Sequence, residues 1–188
     1  MLERCRSHYL GALAAANCTR ALVLGDGDGR FLARLLAACP EISAEAVDAS
    51  PAMLRLLSAR AAHQGTENRL ATLCADARGF TPSASGFDLV ATHFFLDGLT
   101  EAETEALIRR ILPNLAPGAR WIVSEFQVPS DGRARAALAR ALIAGLYAAF
   151  RLLTGLRTRQ IPPWRSLLAN SGFTCRASQS FLGGILVT

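Results

Sequence analysis

Two rhythms of apolar and polar residues alternate along the chain. Solid apolar runs of four to eight residues predict buried strands. Stretches in which apolar residues recur every three or four positions predict helices with one face on a core. After an Ala-rich opening helix, residues 20–25 (RALVLG) predict a first strand, and residues 29–39 a helix that stops before Pro40. Residues 44–48 read as a second strand. Ser50 and Pro51 suit the cap and first turn of the next helix, which turns Met53, Leu54 and Leu57 inward. Residues 69–74 and 87–95 (FDLVATHFF) give a third and a fourth strand, the latter behind the turn-forming TPSASG. Thr100 caps EAETEALIRRIL, which has acid in its first turn and arginine in its last, as the helix dipole favours. A turn at Pro117 and Gly118 leads into a fifth strand, residues 119–128. Residues 133–156 then form a long amphipathic helix in which Gly145 is a candidate break. Ile161-Pro-Pro-Trp164 leads to a short helix ending near Gly172. Residues 173–181 and 184–188 pair as a closing hairpin around Gly183 and Gly184.

Strands that alternate with helices predict an α/β fold: a doubly wound, mostly parallel, seven-stranded sheet covered on both faces, with an antiparallel C-terminal hairpin. With no internal repeat and no long linker, residues 1–188 read as a single domain.

Composition narrows the picture. Hydrophobic residues make up 51% and charged residues 19%, which supports a packed globule rather than disorder. The net charge is +5 and every basic residue is arginine, but the arginines are spread from Arg4 to Arg176 with only a loose cluster over 133–159. No basic stripe interleaved with aromatics appears, which argues against nucleic acid as a partner. The longest apolar run, residues 141–150, is far shorter than the roughly 20 residues that cross a bilayer, so no stable membrane insertion is expected. MLERCRSHYL has no apolar signal-peptide core. Cys5, Cys18, Cys39, Cys74 and Cys175 form no CxxC and no metal-ligand spacing with the three histidines. A cytoplasmic protein with reduced thiols and no metal is expected, as a monomer or homodimer.

The strongest local signal is ALVLGDGDGRF, a strand that runs into Gly25-Asp26-Gly27-Asp28-Gly29 and straight on into a helix. In a doubly wound sheet, ligands sit at the carboxyl ends of strands, and glycines there allow positive φ and close backbone approach. Asp48 ends the second strand, where a carboxylate can accept from both hydroxyls of a ribose; Asp76 and Ala77 follow the third, in reach of an adenine edge. Asp26 and Asp28 would repel a pyrophosphate over the turn and welcome a sulfonium and an ammonium. Arg30 also stands where GxGxxG has its third glycine. A nicotinamide-dependent Rossmann-fold reductase is therefore the runner-up. A non-catalytic adenosine-binding or membrane-surface module, using the arginines of 133–159, is the third reading.

LVLGDGDGRF, AVDASPAML, CADAR, FDLVATHFFLDGLT and LAPGARWIVSEF, in that order, resemble the successive motifs of class I S-adenosylmethionine-dependent methyltransferases over nearly the whole chain. Among these the sequence is most similar to small-molecule enzymes of the ubiquinone and menaquinone type. The resemblance implies a Rossmann-like methyltransferase fold and S-adenosylmethionine as cofactor. It implies that Gly25, Gly27 and Gly29 form the methionine-side turn and that Asp48 holds the ribose. Ala49 and Met53 would pack on the adenosine, Asp76 and Ala77 meet the adenine, and Thr92 and His93 line the sulfonium side. The chain departs from the family where Val23 replaces an acid common on the first strand, so Asp26 becomes the candidate for the cofactor's amino group.

Methyl transfer from a sulfonium is an in-line displacement helped chiefly by positioning and by exclusion of water. A general base is needed only where the acceptor must lose a proton. His93, at the carboxyl end of the fourth strand, is the expected base, and Asp97 a second candidate. Phe94, Phe95, Phe126, Tyr147, Phe150 and Trp164 could wall the acceptor, with Gln127, Glu125 and Arg151 as polar contacts. The acceptor expected is a small, largely apolar or aromatic molecule.

Overall fold

The computed structural model describes residues 1–129, 132–154 and 161–188; the side chains of residues 134 and 146–154 lie outside the description. Five parallel strands, β1 (Arg20–Leu24), β2 (Ser43–Asp48), β3 (Leu70–Cys74), β4 (Phe87–His93) and β5 (Leu115–Phe126), are joined by two short ones, β6 (Ser180–Phe181) and β7 (Leu186–Val187). The sheet order is β3-β2-β1-β4-β5-β7-β6, with β7 antiparallel to both its neighbours. The helices are α1 (Leu2–Arg6), α2 (Leu10–Ala14), α3 (Arg30–Ala38), α4 (Pro51–His63), α5 (Glu101–Ile111), α6 (Arg133–Thr154) and α7 (Trp164–Asn170).

The apolar runs of the central strands bury side chains on both faces, as a covered parallel sheet requires. On one face Ala21, Val23, Leu89 and Ala91 pack with Phe31, Leu32, Leu35 and Leu36 of α3 and with Leu57 of α4. On the other, Leu22, Leu24 and Val90 pack with Leu107, Ile108 and Ile111 of α5 and Leu167 and Leu168 of α7. Order reverses between β1 and β4, so their carboxyl ends, with the glycine turn and residues 93–97, flank the crevice of the sheet.

Several expected boundaries move, each for a local reason. β4 ends at His93 rather than residue 95, because Phe94 takes a left-handed φ of 53° that turns the chain out of the sheet. The opening helix divides into α1 and α2, and α6 runs through Gly145 without a break. The larger correction is β6. Residues 173–181 do not form one strand: only Ser180 and Phe181 do, and residues 173–179 run beside β5 without joining the sheet.

Candidate functional site

Gly25, Gly27 and Gly29 all take positive φ, of 67°, 61° and 78°, but they serve different ends. A β-carbon on Gly25 would collide with the Phe95 ring, and one on Gly29 would lie 2.6 Å from Leu57 Cγ. These two let the chain pack tightly against the segment after β4 and against α4. Only Gly27 has open space on its side-chain position, so it alone offers backbone to a ligand. Gly25 N donates to Val47 O at 2.9 Å, which fixes the turn beside the end of β2. There Asp48 accepts from Ser50 N at 2.8 Å through Oδ1, and among the described residues no donor reaches Oδ2. Ser50 caps α4, and Met53, half-buried, and Ala49, exposed, flank the carboxylate in sequence. Ala77 is buried, while Asp76 is exposed and holds its own chain, accepting from Arg78 N at 2.9 Å and from the Arg78 guanidinium at 3.2 Å. A side-chain reading of adenine by Asp76 would have to break that pairing.

The two acids of the turn do not act as the simple like-charged pair that the sequence suggested. Asp28 is bound by Arg30 at 2.7 Å and Arg60 at 3.0 Å. These partners outweigh its partial burial and hold its carboxyl below the ordinary range. Asp26 is 3% exposed and accepts from Leu32 N at 2.9 Å, which ties it to the first turn of α3. Burial pushes its pKa up to about 7, and its Oδ1 has no hydrogen-bond partner among the described residues. The electrostatic case against a pyrophosphate is therefore weaker than two free charges would make it.

His93, expected as the general base, lies inward of the strand end. It is 1% exposed, edge-on to the Phe31 ring at 4.2 Å, with Nδ1 on Ser124 Oγ at 2.8 Å and, among the described residues, no partner for the buried Nε2. Burial, with the Arg6 charge behind it, pushes its pKa down to about 3, so the imidazole binds a proton poorly. Thr92 is fully buried on the face covered by α5 and α7, where its hydroxyl accepts from Trp121 Nε1 at 3.1 Å.

The acidic pair near the strand ends is built differently. Glu125, fully buried on β5, accepts from Phe95 N at 3.0 Å and Leu96 N at 2.8 Å through Oε1, while Oε2 has no hydrogen-bond partner among the described residues. Burial, and then the charge of Asp97, push its carboxyl well above the usual range. Asp97 is 8% exposed. Nearby, the Phe94 and Phe126 rings lie 5.1 Å apart and the Arg6 guanidinium is 5.4 Å from the Phe94 centroid. Phe94, Phe95 and Phe126 thus gather at the strand ends. Gln127 turns away to Ser180 Oγ at 3.3 Å, and Trp164 lies on α7 against the other core. The side chains of Tyr147, Phe150 and Arg151 are outside the described residues. Sequence reading missed Arg6, which the Ala-rich opening gave no reason to single out, and Arg60, whose pairing with Asp28 is a long-range contact.

A seven-stranded sheet in this order, five strands parallel and the last pair antiparallel, defines a Rossmann-like domain. Residues 21–118 match the profile of the methyltransferase domain family. The chain belongs to that family, among the class I S-adenosylmethionine-dependent methyltransferases. Solved structures agree in fold. Methyltransferase CalO6 superposes with a TM-score of 0.71 at 20% identity, over 95% of this chain and 58% of its own. The mitomycin 7-O-methyltransferase MmcR gives 0.68 at 18%, over 96% and 52%. The N,N-8-amino-8-demethyl-D-riboflavin dimethyltransferase RosA from Streptomyces davawensis gives 0.65 at 23%, over 96% and 52%. The chain thus spans a little over half the length of these proteins. No curated protein matches it. Among the described residues no helix is long and apolar enough to cross a membrane.

Proposed function

We propose that this domain binds S-adenosylmethionine over the glycine turn and transfers its methyl group to a small, largely apolar or aromatic acceptor. The observation that carries this reading is the pairing of Gly27, the one open glycine of the turn, with the uncommitted Oδ2 of Asp48 on the neighbouring strand end. The residues fit the cofactor. Asp48 accepts from the ribose hydroxyls, Met53 and Ala77 border the adenosine, and the unpartnered Asp26 Oδ1 is the acceptor for the amino group that Val23 cannot serve. When bound, the cofactor supplies an electrophilic methyl on a cationic sulfur.

The acceptor lies against Phe94, Phe95 and Phe126, which hold it in line and keep water away. If its hydroxyl must lose a proton, the Asp97 and Glu125 carboxyls take the role expected of His93. Two carboxyls in one buried site favour a single charge over two, which leaves a carboxylate beside a neutral partner. Isothermal titration of the folded chain with S-adenosylhomocysteine, followed by a methyl-transfer screen of phenols and small acids, tests the reading. Saturable binding of the homocysteine product is expected; binding of NADH in its place would overturn it.

A further inference from the structure

The turn after β3 is held by a residue that takes no part in the cofactor site described so far. Ala75 N donates to Asp48 O at 3.2 Å, which sets residues 76–80 beside the carboxylate assigned to the ribose. Within the turn, Gly79 N donates to Asp76 O at 3.1 Å and Phe80 N to Ala77 O at 3.4 Å. Arg110 reaches this turn from the last turn of α5. Its Nε donates to Phe80 O at 2.7 Å, and its Nη2 to Ala77 O at 3.0 Å and Arg78 O at 2.9 Å. Among the described residues, Phe80 O and Arg78 O accept from nothing else. One guanidinium thus fixes three carbonyls of a single turn.

The amide donors of the turn are used unevenly. Asp76 O is taken inside the turn, and the planar peptide sets Ala77 N–H on the opposite side. Ala77 is buried, yet among the described residues no acceptor meets its N–H. Buried main-chain donors are almost always paired, so an uncommitted one past the carboxyl end of a strand marks a place for a ligand atom. The Asp76 carboxylate beside it is already committed to Arg78, through the amide at 2.9 Å and the guanidinium at 3.2 Å.

We infer, on the cofactor reading proposed above, that Arg110 is a positioning residue for recognition of the base: by clamping the turn it aims Ala77 N–H at N1 of adenine. Selectivity for adenine then lies in the main chain and depends on a side chain that never touches the ligand. Adenine N1 is an acceptor. Hypoxanthine carries a proton there, which sets donor against donor and leaves both unpaired. Lysine cannot stand in for the fork, since one ammonium cannot span carbonyls that Nε and Nη2 reach separately.

S-adenosylhomocysteine and S-inosylhomocysteine differ only at this edge, and calorimetric titration of the full chain with each tests the assignment. The native protein should prefer the adenosyl compound by about thirtyfold. Arg110→Lys should weaken S-adenosylhomocysteine about tenfold and leave S-inosylhomocysteine unchanged, which narrows the preference. Arg110→Ala places a good helix former at the same position. In that variant millimolar methylguanidinium should restore the preference, which a general gain in stability would not do. In the native protein the Ala77 amide should exchange more slowly under saturating S-adenosylhomocysteine than under saturating S-inosylhomocysteine. Asp48→Ala should weaken both compounds alike, because they share the ribose. The role of Arg110 is overturned if its substitution lowers both affinities equally, and that of Ala77 if its amide exchanges equally under both compounds. A native chain that binds neither compound overturns the cofactor reading itself, and Arg110 with it.

Discussion

Each glycine of the turn answers to a different neighbour, and substitution should separate them. Gly25→Ala and Gly29→Ala combine a strained positive φ with a collision, against Phe95 and Leu57 respectively, and both should lower the melting temperature clearly. Gly27→Ala meets nothing within 4 Å, so only the φ strain remains, about 1 kcal/mol. Its methyl group would instead enter the ligand's space, weakening S-adenosylhomocysteine binding in a folded protein. Equal melting losses at all three positions would refute this division. Asp48→Ala should weaken the same ligand about tenfold or more, read by calorimetry, and unchanged affinity would remove Asp48 from the ribose. The turn and Asp48 were legible because their residue types and places after β1 and β2 are local facts. The inward retreat of His93 was not. A strand end reads alike whether its side chain meets a ligand or, as here, Phe31 and Ser124.

Helices were read well wherever they carry their own signals. Thr100 accepts from Glu103 N at 3.3 Å and Glu103 accepts from Thr100 N at 2.8 Å, so the acid and threonine recognised in the sequence close a full capping box on α5. Thr100→Ala should destabilise the protein by about 1 kcal/mol, measured by urea unfolding; no change would mean that packing of Leu107, Ile108 and Ile111 alone fixes that end. β6 shows the opposite case. Residues 173–181 carry strand-like composition, but a strand exists only by pairing, and whether β5 or β7 comes alongside is not written in the segment itself.

At the scale of the whole molecule, buried ionisable groups set how stability varies with pH. Asp26 has a pKa near 7 folded against 3.8 as a free side chain, so between those values the folded state holds a proton that the unfolded state has lost. Stability therefore falls as pH rises through this window, by about 1.4 kcal/mol per unit from this group. Glu125, also pushed up by burial, acts in the same sense above its ordinary range. His93 opposes them: near 3 folded against 6.5 free, it leaves the unfolded state holding the extra proton, so its contribution rises with pH up to 6.5 and is constant above. Between about pH 4 and 6.5 Asp26 and His93 cancel, and the native protein hides both. Single substitutions should uncover them. Asp26→Asn, which keeps an acceptor for Leu32 N, should gain on the native protein steadily from pH 4.5 to 7. His93→Asn should gain as pH falls below 6.5. Urea midpoints at half-unit steps distinguish the two curves. Parallel curves for Asp26→Asn and the native chain would show that Asp26 is ionised in the fold, restoring the anionic glycine turn that its burial takes away.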